Sequence, residues 1–134
     1  MSRDKERVFE SKDLVDFCTY NILSSNLASP SHFKNCNPSD LDKEVRLDRI
    51  KKVLLKEIAN ESIIALQEVS VYYSSQLQLF FNDHNYYFFN NNYGSKFSDY
   101  MGVGLAFPRW KYDLIDIDSK RIGDKIDMIK KDNF

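Results

Sequence analysis

Residues 62–68 read Ser-Ile-Ile-Ala-Leu-Gln-Glu, a nearly continuous apolar run that ends abruptly in a carboxylate. A run of this kind is typical of a strand that is buried on both faces of a sheet. Upstream, residues 14–23 read Leu-Val-Asp-Phe-Cys-Thr-Tyr-Asn-Ile-Leu and are rich in β-branched and aromatic residues, which predicts an earlier strand. An amphipathic helix is expected between them, so the chain opens with a strand, a helix and a strand.

The intervening helix is predicted over residues 41–58, where apolar residues recur at spacings of three and four. These residues are Leu47, Ile50, Val53, Leu54 and Ile58. Asp40 or Ser39 is placed to cap the helix, and Asp42 and Glu44 suit the positive end of the helix dipole. The pattern therefore predicts a helix that buries one side.

Four further elements are predicted downstream of residue 70. A second helix over 71–83 places four large side chains on one side, namely Tyr73, Leu77, Phe80 and Phe81. Aromatic residues at 86–90, the small and apolar stretch 102–107 and the alternating stretch 112–117 predict three strands. The three consecutive asparagines at 90–92 are expected to lie in a loop.

The composition indicates an ordinary intracellular globular chain. It has 134 residues, with 19 Lys plus Arg against 20 Asp plus Glu, so its length fits one domain and its charge favours neither nucleic acid nor membrane. No apolar run approaches the roughly 18 residues of a membrane helix, and no apolar leader follows Met1. Cys18 and Cys36 are expected to be free thiols in a reducing cytoplasm. The abundance of Asn, Lys and Ile suits an AT-rich genome, and a viral origin is one interpretation.

Two polar residues stand at the ends of the first two predicted strands, Asn21 and Glu68. In an α/β layout these strand ends meet at one edge, where ligands collect. One carboxylate, with waters and substrate phosphates, is a usual site for a hard cation such as Mg²⁺. A glutamate at a strand end is more often a solvated residue, and an asparagine more often forms a turn, so the spacing alone is a weak signal.

The same positions resemble the opening motifs of the endonuclease/exonuclease/phosphatase superfamily. Residues 19–24, Thr-Tyr-Asn-Ile-Leu-Ser, and 66–69, Leu-Gln-Glu-Val, match these motifs in order and separation, and 102–107 resembles the next core strand. The Tyr-Asn-Ile-Leu-Ser form, the segment 46–50 and the strand predicted after residues 111–112 are most similar to the deadenylase and nocturnin-like branch, which includes 2′,5′-phosphodiesterases. The DNA-repair endonuclease branch usually has a Gly-hydrophobic-Arg motif after its asparagine, whereas this sequence has Leu-Ser-Ser at 23–25, which disfavours that branch.

This resemblance implies an α/β (α+β) fold class, with the chain forming the N-terminal half of a four-layer α/β/β/α sandwich. Residues 1–12 would be a charged N-terminal arm, and 13–134 a partial domain that lacks the C-terminal half. It implies that Glu68 is a metal ligand for Mg²⁺, with Mn²⁺ as the alternative, and that Asn21 is a catalytic residue orienting the scissile phosphate. The implied substrate is an RNA 3′ end or a related nucleotide phosphodiester.

The motifs of the family's second half do not occur in this sequence. They are a phosphate-contacting histidine, a Gly-Asp-Phe-Asn-like motif whose aspartate activates water, and a final Ser-Asp-His. His32 and His84 lack the neighbours that those motifs require. Whether the chain is an enzyme therefore stays open, and we expect a hydrolase half that is inactive alone. The alternatives are a non-catalytic remnant, a module that binds a nucleotide or partner, or another phosphatase of the superfamily.

Half of a sandwich also leaves one apolar sheet face uncovered. Such a face predicts self-association of the chain or a partner protein that covers the face. No membrane partner is expected.

Overall fold

The computed structural model describes residues 14–93 and 101–120. In chain order the elements are β1 (Phe17–Asn21), a short 3-10 helix (Pro38–Leu41), α1 (Lys43–Ala59), β2 (Ile63–Gln67), α2 (Val71–Asp83), β3 (Tyr86–Tyr93) and β4 (Met101–Pro108). The four strands form one sheet in the order β1-β2-β4-β3. β1 and β2 are parallel, whereas β4 is antiparallel to both β2 and β3. A mixed sheet with helices confirms the predicted α/β (α+β) class, and the predicted arm at 1–12 lies outside the described residues.

Both helices contribute to one hydrophobic core on one face of the sheet. α2 buries the four residues that the sequence predicted, and α1 buries Leu47, Ile50 and Leu54. Val53, also predicted to be buried, is 39% exposed, because it is rotated by about 100° around the helix from Leu54. Among the described residues, neither helix is long and apolar enough to cross a membrane.

The start of α1 differs from the sequence prediction. The helix begins at Lys43, and its cap is Asp42, whose Oδ1 accepts the backbone N–H of Glu44 at 2.9 Å and of Val45 at 3.1 Å. The predicted cap Asp40 lies in the 3-10 helix instead and pairs with Arg49 at 2.6 Å. The 3-10 helix that begins at Pro38 therefore includes Ser39, Asp40 and Leu41, where α1 was predicted to begin.

The second sheet face, which we call the open face, carries the alternate strand residues. It consists of Phe17, Thr19 and Asn21 of β1, Ile63, Ala65 and Gln67 of β2, Met101, Val103, Leu105 and Phe107 of β4, and Tyr87, Phe89, Asn91 and Tyr93 of β3. The prediction that β2 is buried on both faces is therefore wrong: Ile64 and Leu66 are buried, whereas Ile63 and Ala65 are half-buried. The reason is that both helices pack on the other face.

Two other segments differ from their predictions. Residues 112–117 do not form a strand; they lie over the open face and line a groove with Ile63, Phe89, Leu105 and Phe107. Asn90, Asn91 and Asn92 belong to β3, where they pair with Gly104, Val103 and Gly102, and do not form the predicted loop. Backbone pairing with β4 thus overrides the turn preference of asparagine.

Both cysteines are free, as predicted. Cys18 is half-buried on the helix-facing side of β1, where burial, followed by the Glu57 carboxylate, raises the pKa of its thiol. A raised pKa disfavours the reactive thiolate, so Cys18 acts as a small packing residue. Cys36 lies exposed in the loop that precedes the 3-10 helix.

The open face is mostly apolar and is only partly covered by residues 112–117, which predicts self-association of the purified chain. Phe17 is 62%, Val103 49% and Leu105 40% exposed. We expect the purified chain to form dimers or larger species by size-exclusion chromatography with light scattering, and Val103→Lys to shift them towards monomer. Leu79→Lys is the matched control, because Leu79 is 64% exposed on α2 at the opposite side. A wild-type chain that is monomeric at its highest soluble concentration would contradict this expectation.

Candidate metal site at the sheet edge

Three strands end at the same edge of the sheet. β1 and β2 are parallel and in register, so that Asn21 lies opposite Gln67. β3 runs in the same direction as β2, because both are antiparallel to β4, and its Asn91 lies opposite Val103. Such an edge, where strands stop and loops diverge, is the usual position of a ligand site in an open α/β sheet.

At this edge the structure brings together the two residues that the sequence singled out. The Asn21 amide nitrogen donates to Glu68 Oε1 at 2.8 Å, and the Asn21 amide oxygen accepts the Leu23 backbone N–H at 2.9 Å. The oxygen contact fixes the amide so that its nitrogen points to Glu68. Asn21 therefore acts as an orienting group for one carboxylate oxygen.

The second oxygen of Glu68 is available for a cation. Oε2 is buried and has no hydrogen-bond partner within the described residues. The only other such atom there is the hydroxyl of Tyr112, which carries no charge and belongs to a ring that packs against Phe107. A buried carboxylate oxygen without a partner is costly, and a hard cation would offset that cost.

The residues present fit a magnesium site with a single protein carboxylate. Nowhere in the ranges 14–93 and 101–120 do three or more His, Cys, Asp or Glu side chains form a group that could hold a metal. Mg²⁺ nevertheless retains several waters and is commonly held by one or two carboxylates together with substrate phosphates. Glu68 would be that carboxylate.

The backbone at Glu68 adopts the left-handed conformation, with φ of 58°. For a residue other than glycine this conformation costs about 1–3 kcal/mol, so the surroundings must impose it. They do so at Val69, whose N–H donates to the Gly102 carbonyl at 2.9 Å and whose carbonyl accepts from the Asn92 amide at 2.8 Å. Both backbone groups of the residue after Glu68 are thus held, one by the backbone of β4 and the other by a side chain of β3.

The corner after Asn21 is also left-handed, with φ of 50° at Leu23. Here the guanidinium of Arg46, from the first turns of α1, donates to the Ile22 carbonyl at 2.7 Å and the Leu23 carbonyl at 2.9 Å. Sequence reasoning gave Arg46 no role, and it assigned Asn92 to a loop. Neither contact could be predicted from the local sequence, because each joins residues that are more than twenty positions apart in the chain.

The histidines lie away from these contacts. His84 is the C-cap of α2 and its Nδ1 hydrogen-bonds the Phe80 carbonyl at 2.7 Å. His32 lies in the loop after β1, where its ring contacts the Ser31 hydroxyl. Neither forms a hydrogen bond with Asn21 or Glu68 in the described part of the chain.

The comparisons with known proteins add a likeness of fold. No family model matches the sequence, and no curated protein matches it. Among solved structures, the chain is similar to the crystal structure of ANGEL2, a 2′,3′-cyclic phosphatase, in complex with adenosine-2′,3′-vanadate, with a TM-score of 0.57 and 22% sequence identity. The match covers 71% of this chain and 28% of that chain. This likeness of fold agrees with the predicted α/β (α+β) fold class.

Replacing Gly102 tests the corner that carries Glu68. A Cβ atom at Gly102 would lie 2.7 Å from the Val69 carbonyl oxygen and 2.7 Å from the Asn92 amide nitrogen, and a backbone oxygen cannot move aside as a flexible side chain can. We expect Gly102→Ala to lower the free energy of unfolding in urea by about 1–3 kcal/mol. Val103→Thr, at the next residue on the open face, should change it little. An unchanged urea midpoint for Gly102→Ala would show that the corner tolerates displacement.

Proposed function

We propose that this chain supplies the metal-binding half of a phosphoesterase site of the endonuclease/exonuclease/phosphatase type, acting on RNA ends or related nucleotide phosphoesters. The observation that carries the proposal is the Glu68 carboxylate at the sheet edge. One of its oxygens is held by the Asn21 amide at 2.8 Å, while the other is buried and unpartnered within the described residues. A carboxylate arranged in this way is suited to a metal ion.

Two similarities support this choice over other metal-binding functions. The motifs at 19–24 and 66–69 resemble the opening motifs of that superfamily, and they contain Asn21 and Glu68. The fold is similar to that of ANGEL2, which is described as a 2′,3′-cyclic phosphatase. A nucleotide 2′,3′-cyclic phosphate therefore joins the RNA 3′ end as a substrate class to be tested.

The chemistry requires charge neutralisation at phosphorus. When bound, Mg²⁺ or Mn²⁺ supplies a Lewis acid that offsets the negative charge growing on the phosphoryl oxygens. Glu68 would hold the ion, and Asn21 keeps the carboxylate in one orientation through its hydrogen bond. The Asn21 amide carries a second N–H. Because the side chain is exposed, that N–H is free to orient a phosphate oxygen of the substrate.

The described residues at this edge do not complete a hydrolytic site. Hydrolysis also needs a group that accepts the proton of the attacking water and a group that stabilises the leaving oxygen. The sequence contains neither the Gly-Asp-Phe-Asn-like nor the Ser-Asp-His motif. We therefore propose that the chain alone binds a metal without hydrolysing substrate. The alternative, a nucleotide-binding module, would likewise show no hydrolysis.

Metal binding should depend on Glu68. We expect the free Mn²⁺ signal in electron paramagnetic resonance to fall when wild-type protein is added, and to remain when Glu68→Gln is added, because the variant keeps the shape but loses the charge. Glu61→Gln is a matched control: Glu61 also has a left-handed φ, 56°, and precedes the same strand, β2, at its opposite end. Equal binding by wild type and Glu68→Gln would refute Glu68 as the ligand.

Turnover should be absent in the isolated chain. Oligoadenylate that ends in a 3′-hydroxyl or in a 2′,3′-cyclic phosphate should stay intact with Mg²⁺, as it does with EDTA. Hydrolysis that EDTA abolishes and that Glu68→Gln lacks would show that these 134 residues already form a working site. Cleavage that persists in Glu68→Gln would identify a contaminating nuclease.

A further inference from the structure

We propose that Arg46 is a positioning residue, which sets the distance between Asn21 and Glu68 by joining the two chain segments that follow them. The inference deepens the proposed function and rests on it for the role of Asn21 and Glu68. Arg46 contacts neither residue by hydrogen bond within the described part of the chain, so its effect is transmitted through backbone.

On the first side, Arg46 holds the segment that follows Asn21. One guanidinium nitrogen, Nη2, donates to the carbonyls of Ile22 at 2.7 Å and Leu23 at 2.9 Å. The chain turns through a left-handed φ of 50° at Leu23, and carbonyls at such a corner lose the regular pairing of the strand. The guanidinium replaces that pairing with two charge-assisted hydrogen bonds, which fixes the corner directly after Asn21.

On the second side, Arg46 holds the helix that follows Glu68. Its other terminal nitrogen, Nη1, donates to the Tyr73 hydroxyl at 3.2 Å. Tyr73 is fully buried in the first turn of α2, and burial raises the pKa of its phenol, so that the oxygen stays protonated and accepts from Arg46. Ser70, the N-cap of α2, lies only two residues after Glu68 and accepts the Tyr73 backbone N–H at 3.3 Å. Because Tyr73 is linked to Ser70 in this way, the hydrogen bond from Arg46 to Tyr73 also restrains the backbone that follows Glu68.

A second side-chain contact also joins the segment after Asn21 to the segment after Glu68. The hydroxyls of Ser25 and Ser70 lie 2.8 Å apart, and they join the loop after β1 to the start of α2. The backbone N–H of Ile22 also donates to the Gln67 carbonyl at 3.1 Å, so the Asn21 to Glu68 hydrogen bond is accompanied by three further contacts across the same gap. Of these, only the Arg46 contact involves a rigid group that bonds both sides at once.

The charge environment of Arg46 separates it from an ordinary surface arginine. It is half-buried, and its acceptors are two carbonyls and a phenol, with no carboxylate within ion-pair distance in the residues described. Arg49, three residues later on α1, has a side chain that is 58% exposed and forms an ion pair with Asp40. The half-buried charge of Arg46 is instead offset by these hydrogen bonds to neutral groups and by the ring of Tyr73, whose centre lies 5.9 Å from the guanidinium carbon. The contribution of Arg46 therefore lies in its forked hydrogen-bond geometry.

The test compares Arg46→Lys, Arg46→Met and Tyr73→Phe with the control Arg49→Met in the 134-residue chain. The first readout is the solvent-exchange rate of the Asn21 side-chain amide proton that donates to Glu68, measured by ¹H–¹⁵N magnetic resonance. The second is Mn²⁺ affinity, and the third is urea unfolding. We expect faster exchange and about 10-fold weaker Mn²⁺ binding in all three variants, and wild-type values in Arg49→Met.

Arg46→Lys is the most informative variant, because it retains the positive charge and lacks the fork. Wild-type exchange and Mn²⁺ affinity in Arg46→Lys would overturn the proposal in favour of a purely electrostatic effect. Variants that lose stability in urea while the Asn21 proton exchanges as in wild type would overturn it in favour of a purely structural role. Should Arg46→Met fail to fold, Arg46→Lys and Tyr73→Phe decide the question.

The readouts also separate this inference from the proposed function. A wild-type chain that binds no Mn²⁺ would refute the metal site, whereas the exchange rate of the Asn21 amide would still report on positioning. Conversely, Mn²⁺ binding that requires Glu68 and is indifferent to Arg46 and Tyr73 would keep the metal site and refute the positioning role.

Discussion

The parallel, in-register pairing of β1 with β2 is the constraint on which the candidate site depends. Because Phe17 pairs with Ile63 and each following residue keeps this register, Asn21 ends opposite Gln67 and next to Glu68. A shift of one residue would turn the side chain of Asn21 to the other face of the sheet. Helix α1 makes the parallel pairing possible, since two parallel strands need a long crossover connection between them. The helix also carries Arg46, so one segment both connects the two strands and holds the corner where the first of them ends.

Left-handed backbone at Glu68 is not in itself a sign of function, and the same chain shows why. Glu61 has nearly the same φ, 56°, yet it has an ordinary explanation as the residue after the C-cap of α1. There the N–H of Ser62 bonds the Glu57 carbonyl and that of Glu61 bonds the Ile58 carbonyl, both at 3.0 Å, which is the usual helix-ending arrangement. Glu68 ends no helix. What distinguishes it is a strained corner that is held from two strands together with a buried, unpartnered carboxylate oxygen.

Sequence reasoning succeeded where a single local pattern decides the outcome. The apolar spacing of α2 predicted its range and its buried side chains, and the ends of β1 and β2 drew attention to Asn21 and Glu68. It failed where a distant segment decides. The alternation at 112–117 suits a strand, but the segment forms no ladder, while the asparagines at 90–92 pair with β4 despite their preference for turns. The contacts of Arg46 could not be predicted either, because hydrogen bonds from a side chain to distant backbone carbonyls produce no pattern of residue spacing in the sequence.

The open face adjoins Glu68, so a protein surface that covers this face would also affect metal binding at the sheet edge. On the open face, the row of paired residues next to Glu68 consists of Asn21, Gln67, Val103 and Asn91, and the two rows behind it are mostly apolar. An apolar surface that packed on those rows would exclude water from them and would bring its own side chains beside Glu68. A single carboxylate at an edge that is open to water binds a cation weakly, since the surrounding solvent competes for the ion and screens its charge. Covering the open face would therefore strengthen the electrostatic attraction between Glu68 and a cation. The covering surface would also supply further side chains to the site. The association state of the chain and the strength of its metal site are therefore expected to be coupled through one surface.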